Sequence, residues 1–217
     1  MAGKTRDTLR RDLLQATLRH VPFDGWTMAA LIAGGRDLEF DLAEVRRLFP
    51  GGAEEAADLF VAEADRRMIE ELARRDLATL RIRERIATAV RVRLEQQAGH
   101  REAIRRVLAL QVMPQRGFGA MRGLYRTVDA MWRAAGDDAT DFNFYTKRLL
   151  LAGVYASTVL FWLNDKSDGC EATWAFLDRR IDDVMQIQKA RARFEKVLPH
   201  PDRLVESLFT RLRSRRA

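Results

Sequence analysis

Apolar residues recur along almost the whole chain at spacings of three and four, the period of a helix that buries one face. Leu9, Leu13, Ala16 and Leu18 lie near one stripe of a first helix, which the pattern ends at Val21 and Pro22. Pro22 and Gly25 supply a turn, and residues 26–33 read as a short apolar helix that Gly34 and Gly35 stop. Asp41 with Glu44 has capping-box spacing and opens a third helix, ended by Phe49, Pro50, Gly51 and Gly52. A long fourth helix starts at Ala53 and carries Leu59, Phe60, Met68, Ile69 and Leu72.

Residues 76–112 are rich in arginine, with Leu80, Ile82, Ile86, Val90 and Leu94 at helical spacing and a break at Gly99. Ile104, Val107, Leu108 and Leu110 resume the period. Met113 and Pro114 start a further helix bearing Phe118, Met121, Leu124, Tyr125, Val128, Met131 and Trp132. Gly136, Asp137 and Asp138 interrupt it. An apolar helix over 141–163 follows, then a loop over 164–169, then a helix marked by Trp174, Leu177, Ile181, Val184, Met185 and Ile187. The expected fold is all-α, with about nine to ten helices and no strand. The expected division is a three-helix region at 1–52, a helical ligand domain at 53–198 and a terminal segment at 199–217.

That terminal segment stands apart. Pro199 and Pro201 separate it from the preceding helix, because a residue before proline is pushed out of helical geometry. Beyond them, Leu204, Val205, Leu208, Phe209 and Leu212 fall on one face. Arg203, Arg211, Arg213, Arg215 and Arg216 outnumber two acids, Asp202 and Glu206. An apolar face with a basic flank is the pattern of a helix lying in a membrane interface. The other reading is a terminal helix packed on its own domain.

Elsewhere, no apolar run reaches the roughly 20 residues that span a bilayer. The nearest, residues 149–163, holds 15 uncharged positions and reads as a buried helix. The opening lacks an apolar signal core. It is arginine-rich in the manner of a mitochondrial presequence, but Asp7 and Asp12 interrupt it. The expectation is a protein that stays in the cytoplasm, on the inner face of the cytoplasmic membrane.

Composition narrows the chemistry. The chain has 217 residues, 47% apolar, with one cysteine, Cys170, which excludes a disulfide framework. The net charge of +7 permits nucleic acid or anionic lipid as a partner without choosing between them. Catalytic chemistry is thin. His20, His100 and His200 stand alone in sequence and read as solvated surface residues, and the paired glycines lack phosphate-loop spacing. Cys170 has no base beside it in sequence. No catalytic residue, metal ligand or cofactor is expected.

The first fifty or so residues resemble the N-terminal helix-turn-helix of the TetR family of regulators, with residues 41–52, DLAEVRRLFPGG, matching the recognition helix and the helix-four junction. Arg46 and Arg47 would be its groove or phosphate contacts. The turn over 34–40 reads as longer than that of working readers, and Asp37, Glu39, Asp41 and Glu44 oppose a polyanion. The architecture is expected and DNA binding is not. A ligand-responsive TetR-type regulator remains the alternative function.

A second stretch is more specific. Residues 131–167, MWRAAGDDATDFNFYTKRLLLAGVYASTVLFWLNDKS, with TWAFLDRRI at 173–181, resemble the ubiquinone (coenzyme Q) biosynthesis lipid-binding protein family, read here as a bacterial member. The carrying signature is Ala135-Gly136-Asp137 followed by residues 140–148, and the resemblance covers essentially the whole chain. It implies a TetR-like fold, an accessory role without catalysis of its own, and a bound isoprenoid or phospholipid in place of a cofactor. It further implies a homodimer and the delivery of quinone precursors to a di-iron hydroxylase. By the same resemblance Phe144 and Tyr145, with Met131, would meet the hydroxylase, and Arg148 would be structural.

The pocket is read from the residues: Phe118, Met121 and Tyr125 on one helix, and Gly153, Ser157, Leu160 and Phe161 on the next, could wall an apolar cavity. A plain filled core has the same composition, so both readings stand. The membrane contacts would be Leu204, Val205, Leu208, Phe209, Leu212, Arg211 and Arg213. Asp141, just ahead of the aromatic pair, reads as an N-cap.

Overall fold

The computed structural model describes residues 4–111, 117–136 and 142–197; within its helices, the side chains of 111, 117–120, 142–144 and 187–197 fall outside that description. Every described element is helical. The order is α1 (Arg6–Thr17), α2 (Val21–Asp24), α3 (Met28–Asp37), α4 (Leu42–Leu48), α5 (Gly52–Ala73), α6 (Ile82–Glu95), α7 (Arg101–Gln111), α8 (Gly117–Ala134), α9 (Phe142–Trp162) and α10 (Glu171–Val197).

Side chains start the short helices. Thr5, Thr27 and Asp41 accept hydrogen bonds from the backbone N–H groups of Thr8, Ala30 and Glu44, the last at 2.7 Å. Each satisfies a donor that a helix start leaves open. The Asp41 cap is as the sequence indicates. Pro22 differs: α1 ends at Thr17, and Pro22 sits in the first turn of α2, where its missing N–H is not needed.

Gly34 and Gly35 do not stop α3, which runs through them to Asp37. They are there because nothing larger fits. A methyl at Gly34 would lie 2.6 Å from the Thr17 backbone nitrogen, and one at Gly35 would run into Val45. The turn to α4 is consequently shorter than the sequence suggests. It covers residues 38–41, closed by the Phe40 N–H donating to the Gly35 carbonyl at 2.8 Å, with Glu39 in the left-handed region (φ 59°).

Two apolar clusters result. One gathers Leu13, Leu14, Leu31, Val45, Leu48 and Phe49 from α1, α3 and their surroundings with Phe60 of α5 and Val107 of α7. Trp26 Nε1 ties α7 to this end by donating to the Ala103 carbonyl at 3.0 Å. The other gathers Met68 and Leu72 from the far half of α5 with residues of α6, α8, α9 and α10, among them Val90, Met131, Trp162 and Leu177. Helix α5 is the spine shared by both.

The α9–α10 corner is set by polar groups. Arg101 donates to the Asp165 carbonyl at 2.7 Å and to Cys170 Sγ at 2.8 Å, with its guanidinium 4.6 Å from the buried Trp162 ring. Asp165 accepts from the backbone N–H groups of Ser167 and Thr173 and from both hydroxyls. Those bonds hold its carboxyl below the usual aspartate range.

Candidate ligand-binding site

Between the two clusters, α5, α6, α7, α8 and α9 leave a cavity of about 480 Å³. Its walls are largely apolar: Phe60, Val61, Leu94, Ile104, Val107 and Leu108 come from α5 to α7, and Leu124, Ala156 and Val159 from α8 and α9. Met121 and Leu160 also line it and are 67% and 58% exposed, so they mark the side open to solvent. Gly123 lines the cavity with nothing within 4 Å of where a Cβ would stand. The glycine therefore gives the cavity width.

One end of the cavity is polar. Arg93 is 4% exposed and donates to Asp65 Oδ1 at 3.0 Å. The Thr127 hydroxyl, 2% exposed, donates to the same carboxylate at 2.9 and 3.0 Å. Arg126, from the solvent side, stands 3.6 Å from Asp65 Oδ2. Arg93, Thr127 and Tyr155 all face the cavity. Burial pushes the Tyr155 phenol above its ordinary pKa; the Arg93 charge offsets part of that rise and Asp65 adds to it.

Of the residues expected at the pocket from sequence, Met121 and Leu160 lie on the cavity wall, and Tyr125, Gly153, Ser157 and Phe161 do not. Phe118 falls in α8, but its side chain is outside the described ones. Helical geometry explains the misplacements on α9. At about 100° per residue, Tyr155, Ala156, Val159 and Leu160 share one face, and positions 157 and 161 turn away from it; Gly153 lies on the side of Leu160 but about two turns along the axis. Ser157 bonds back to the Gly153 carbonyl at 2.8 Å, and Phe161 stacks on Phe176 with ring centroids 4.6 Å apart. Tyr125 is 42% exposed on α8.

Three wall-forming helices, α5, α6 and α7, were not indicated by the sequence. The signal available was an arginine, Arg93, embedded in the apolar period of Val90, Val92 and Leu94. A charge on a buried face needs a partner.

The other expected contacts divide. Met131 is fully buried in the core at 0% exposure, so it is not a surface contact. Tyr145 is 66% exposed near the start of α9. Phe144 lies in the same turn, with its side chain outside the described ones. Arg148 is buried and donates to Asp129 Oδ1 at 2.7 Å, which is a structural ion pair. His100 is half-buried against the Phe60 ring and not solvated as the sequence suggested; burial, and then Arg67, lower its pKa. Asp141 and the terminal set Leu204, Val205, Leu208, Phe209, Leu212, Arg211 and Arg213 lie outside the described residues.

The COQ9 family model matches residues 119–188, the stretch holding α8, α9 and most of α10. The chain is 30% identical over 212 residues to the mitochondrial ubiquinone biosynthesis protein COQ9 of Drosophila melanogaster, covering 96% of this chain and 65% of that protein. It is 34% identical to the Rattus norvegicus protein and 32% identical to the Homo sapiens protein of the same name, each over 191 residues and 85% of this chain. It spans 61% and 60% of their lengths. A TetR transcriptional regulator from Nitrosomonas europaea superposes with a TM-score of 0.67 at 22% identity, over 80% of this chain and 96% of that one.

These names overturn the expected place on the inner face of the cytoplasmic membrane, because the relatives are named as mitochondrial proteins. Asp7 and Asp12, the two acids that interrupt the arginine-rich opening, lie in α1. No described helix is long and apolar enough to cross a membrane. By sequence this chain is a relative of the COQ9 family, and its fold is that of the TetR regulators.

Proposed function

We propose that this protein is a non-catalytic lipid carrier of ubiquinone biosynthesis, which holds an isoprenoid quinone precursor in the α5–α9 cavity and passes it to a di-iron hydroxylase. The observation that carries the reading is the cavity itself: about 480 Å³, apolar over most of its wall, with a few polar groups gathered at one end. That is the usual make-up of a small-molecule site. The kinship with proteins named for ubiquinone biosynthesis supplies the pathway. Tyr145, exposed on α9 beside Phe144, is the proposed contact with the hydroxylase. The segment 199–217 would dock on a membrane surface, its arginines contributing about 1 kcal/mol each against anionic headgroups.

The test is equilibrium binding of a short-chain prenylated benzoquinone to the protein and to its Gly123→Leu variant. A leucine there enters the cavity from a position with open space around it. It also replaces the poorest helix former but proline, so folding is not compromised. Saturable binding by the wild type and its loss in the variant are expected; equal binding by both removes the cavity from the account. Deleting 199–217 should abolish flotation with anionic liposomes, and unchanged flotation removes the docking segment.

A DNA-binding regulator is the second reading, favoured by the compact α3–α4 turn and by the fold. Against it, α4 is a single seven-residue helix on which Arg47 pairs with Glu44 at 3.0 Å, and Asp37 and Glu39 flank the approach. It predicts steeply salt-dependent binding to a palindromic operator. Salt-independent, weak association with any duplex would exclude it.

A further inference from the structure

The cavity is asymmetric along its length. Its solvent side is framed by apolar Met121 and Leu160, and its inner end holds Arg93, Thr127 and Tyr155 around the buried Asp65. Fatty chains gain nothing from the second set and everything from the first. Tyr155 sharpens the contrast. It lines the cavity close enough to Arg93 and Asp65 to feel both charges, yet among the described residues nothing hydrogen-bonds its hydroxyl. Tyr155 is half-buried, so its hydroxyl can be reached from the cavity, and a ligand oxygen there would take the place of water.

We infer that the ligand enters head first, an oxygen-bearing ring reaching Tyr155 at the inner end while its apolar chain trails out between Met121 and Leu160. This rests on the lipid-carrier reading and adds the orientation of the ligand and the residues that meet its ring. The head is a neutral ring oxygen, a quinone carbonyl or a phenol, and not a carboxylate. Arg93 is already neutralised by Asp65 at 3.0 Å, and Arg126 is half in solvent, so an added anion would be buried without its own counter-charge. The volume agrees. At about 480 Å³ the cavity takes a ring and a short stretch of chain, and a longer isoprenoid must continue outside, where Met121, Leu160 and Tyr125 offer exposed apolar surface. The ring is sheltered while bound, and its chemistry follows handover to the enzyme.

The experiment uses two photoreactive prenylated benzoquinones on the full chain, one with a diazirine on the ring and one with it at the far end of the chain. Sites are read by peptide mass spectrometry. Head-first binding places the ring label on peptides holding Arg93, Thr127 and Tyr155, and the chain label on those holding Met121 and Leu160. The reversed pattern overturns the orientation and leaves lipid carriage standing. Saturable labelling by neither probe overturns both. In parallel, Tyr155→Phe removes one hydroxyl and should weaken prenylated benzoquinone binding about three- to tenfold, as for one hydrogen bond. It should leave a ring-free prenyl hydrocarbon unaffected. Oleate bound as tightly as the quinone, and weakened alike by Tyr155→Phe, would overturn the neutral-ring assignment.

Discussion

Two glycines on different helices show how differently the two ends of the molecule use space. At Gly34 a methyl group would meet the Thr17 backbone at 2.6 Å; at Gly123 it would meet nothing within 4 Å. The first lets α3 press against α1 in a filled core of Leu13, Leu31 and Leu48, all at most 1% exposed. The second widens a cavity. Their polar groups differ in the same sense. Around α1 to α4 they cap helix starts at the surface, and around α5 to α9 they form a buried network on Asp65. The amino-terminal end is packed without spare room, and the middle of the bundle keeps a cavity of about 480 Å³.

Substitutions on each side test that contrast. The largest effect is expected from Asp65→Ala, which strands the buried Arg93 charge and should cost about 3–5 kcal/mol by chemical denaturation. A loss below about 1 kcal/mol would mean that water already solvates the network. Gly34→Ala should cost about 1–3 kcal/mol by overpacking, seen as a lower Tm. Gly123→Ala should move stability the other way, by up to about 1 kcal/mol, because alanine is the better helix former. Equal signs for the two would erase the difference between the regions.

Smaller effects mark the rims. Asp41→Ala should remove a helix cap worth about 1 kcal/mol. Asp165 has a lowered folded pKa, so its contribution is complete above the unfolded aspartate value, near pH 4, and fades as the pH falls through the folded value. Asp165→Asn should therefore flatten the acid limb of the stability curve and leave the neutral region with a small uniform loss. An unchanged acid limb would show that the Ser167 and Thr173 bonds do not persist in solution.

The helical plan was legible because period and caps are local. Asp41 followed by Glu44 marked the start of α4, and the apolar run of α9 marked a helix, but not the buried one it reads as: Leu149 and Leu160 are 74% and 58% exposed. Gly34 and Gly35 misled because glycine also serves close approach, and Thr17 and Val45, which demand it, are distant in sequence. The pocket was legible only in part. Met121 and Leu160 follow from the period of α8 and α9, but three walls come from α5 to α7. The meeting of Asp65, Arg93, Thr127 and Tyr155 is a product of tertiary packing that spacing cannot show. Met131 illustrates the converse, since a resemblance to a surface motif does not report burial.

The central claim is that the cavity carries a lipid with an oxygenated ring. Mass spectrometry of lipids extracted from protein purified without detergent tests it most directly, with Gly123→Leu as the control. A prenylated phenol or quinone in near-stoichiometric amount in the wild type, and its absence from the variant, is the predicted result. Wild-type protein that stays empty even after incubation with prenylated quinone would contradict the account.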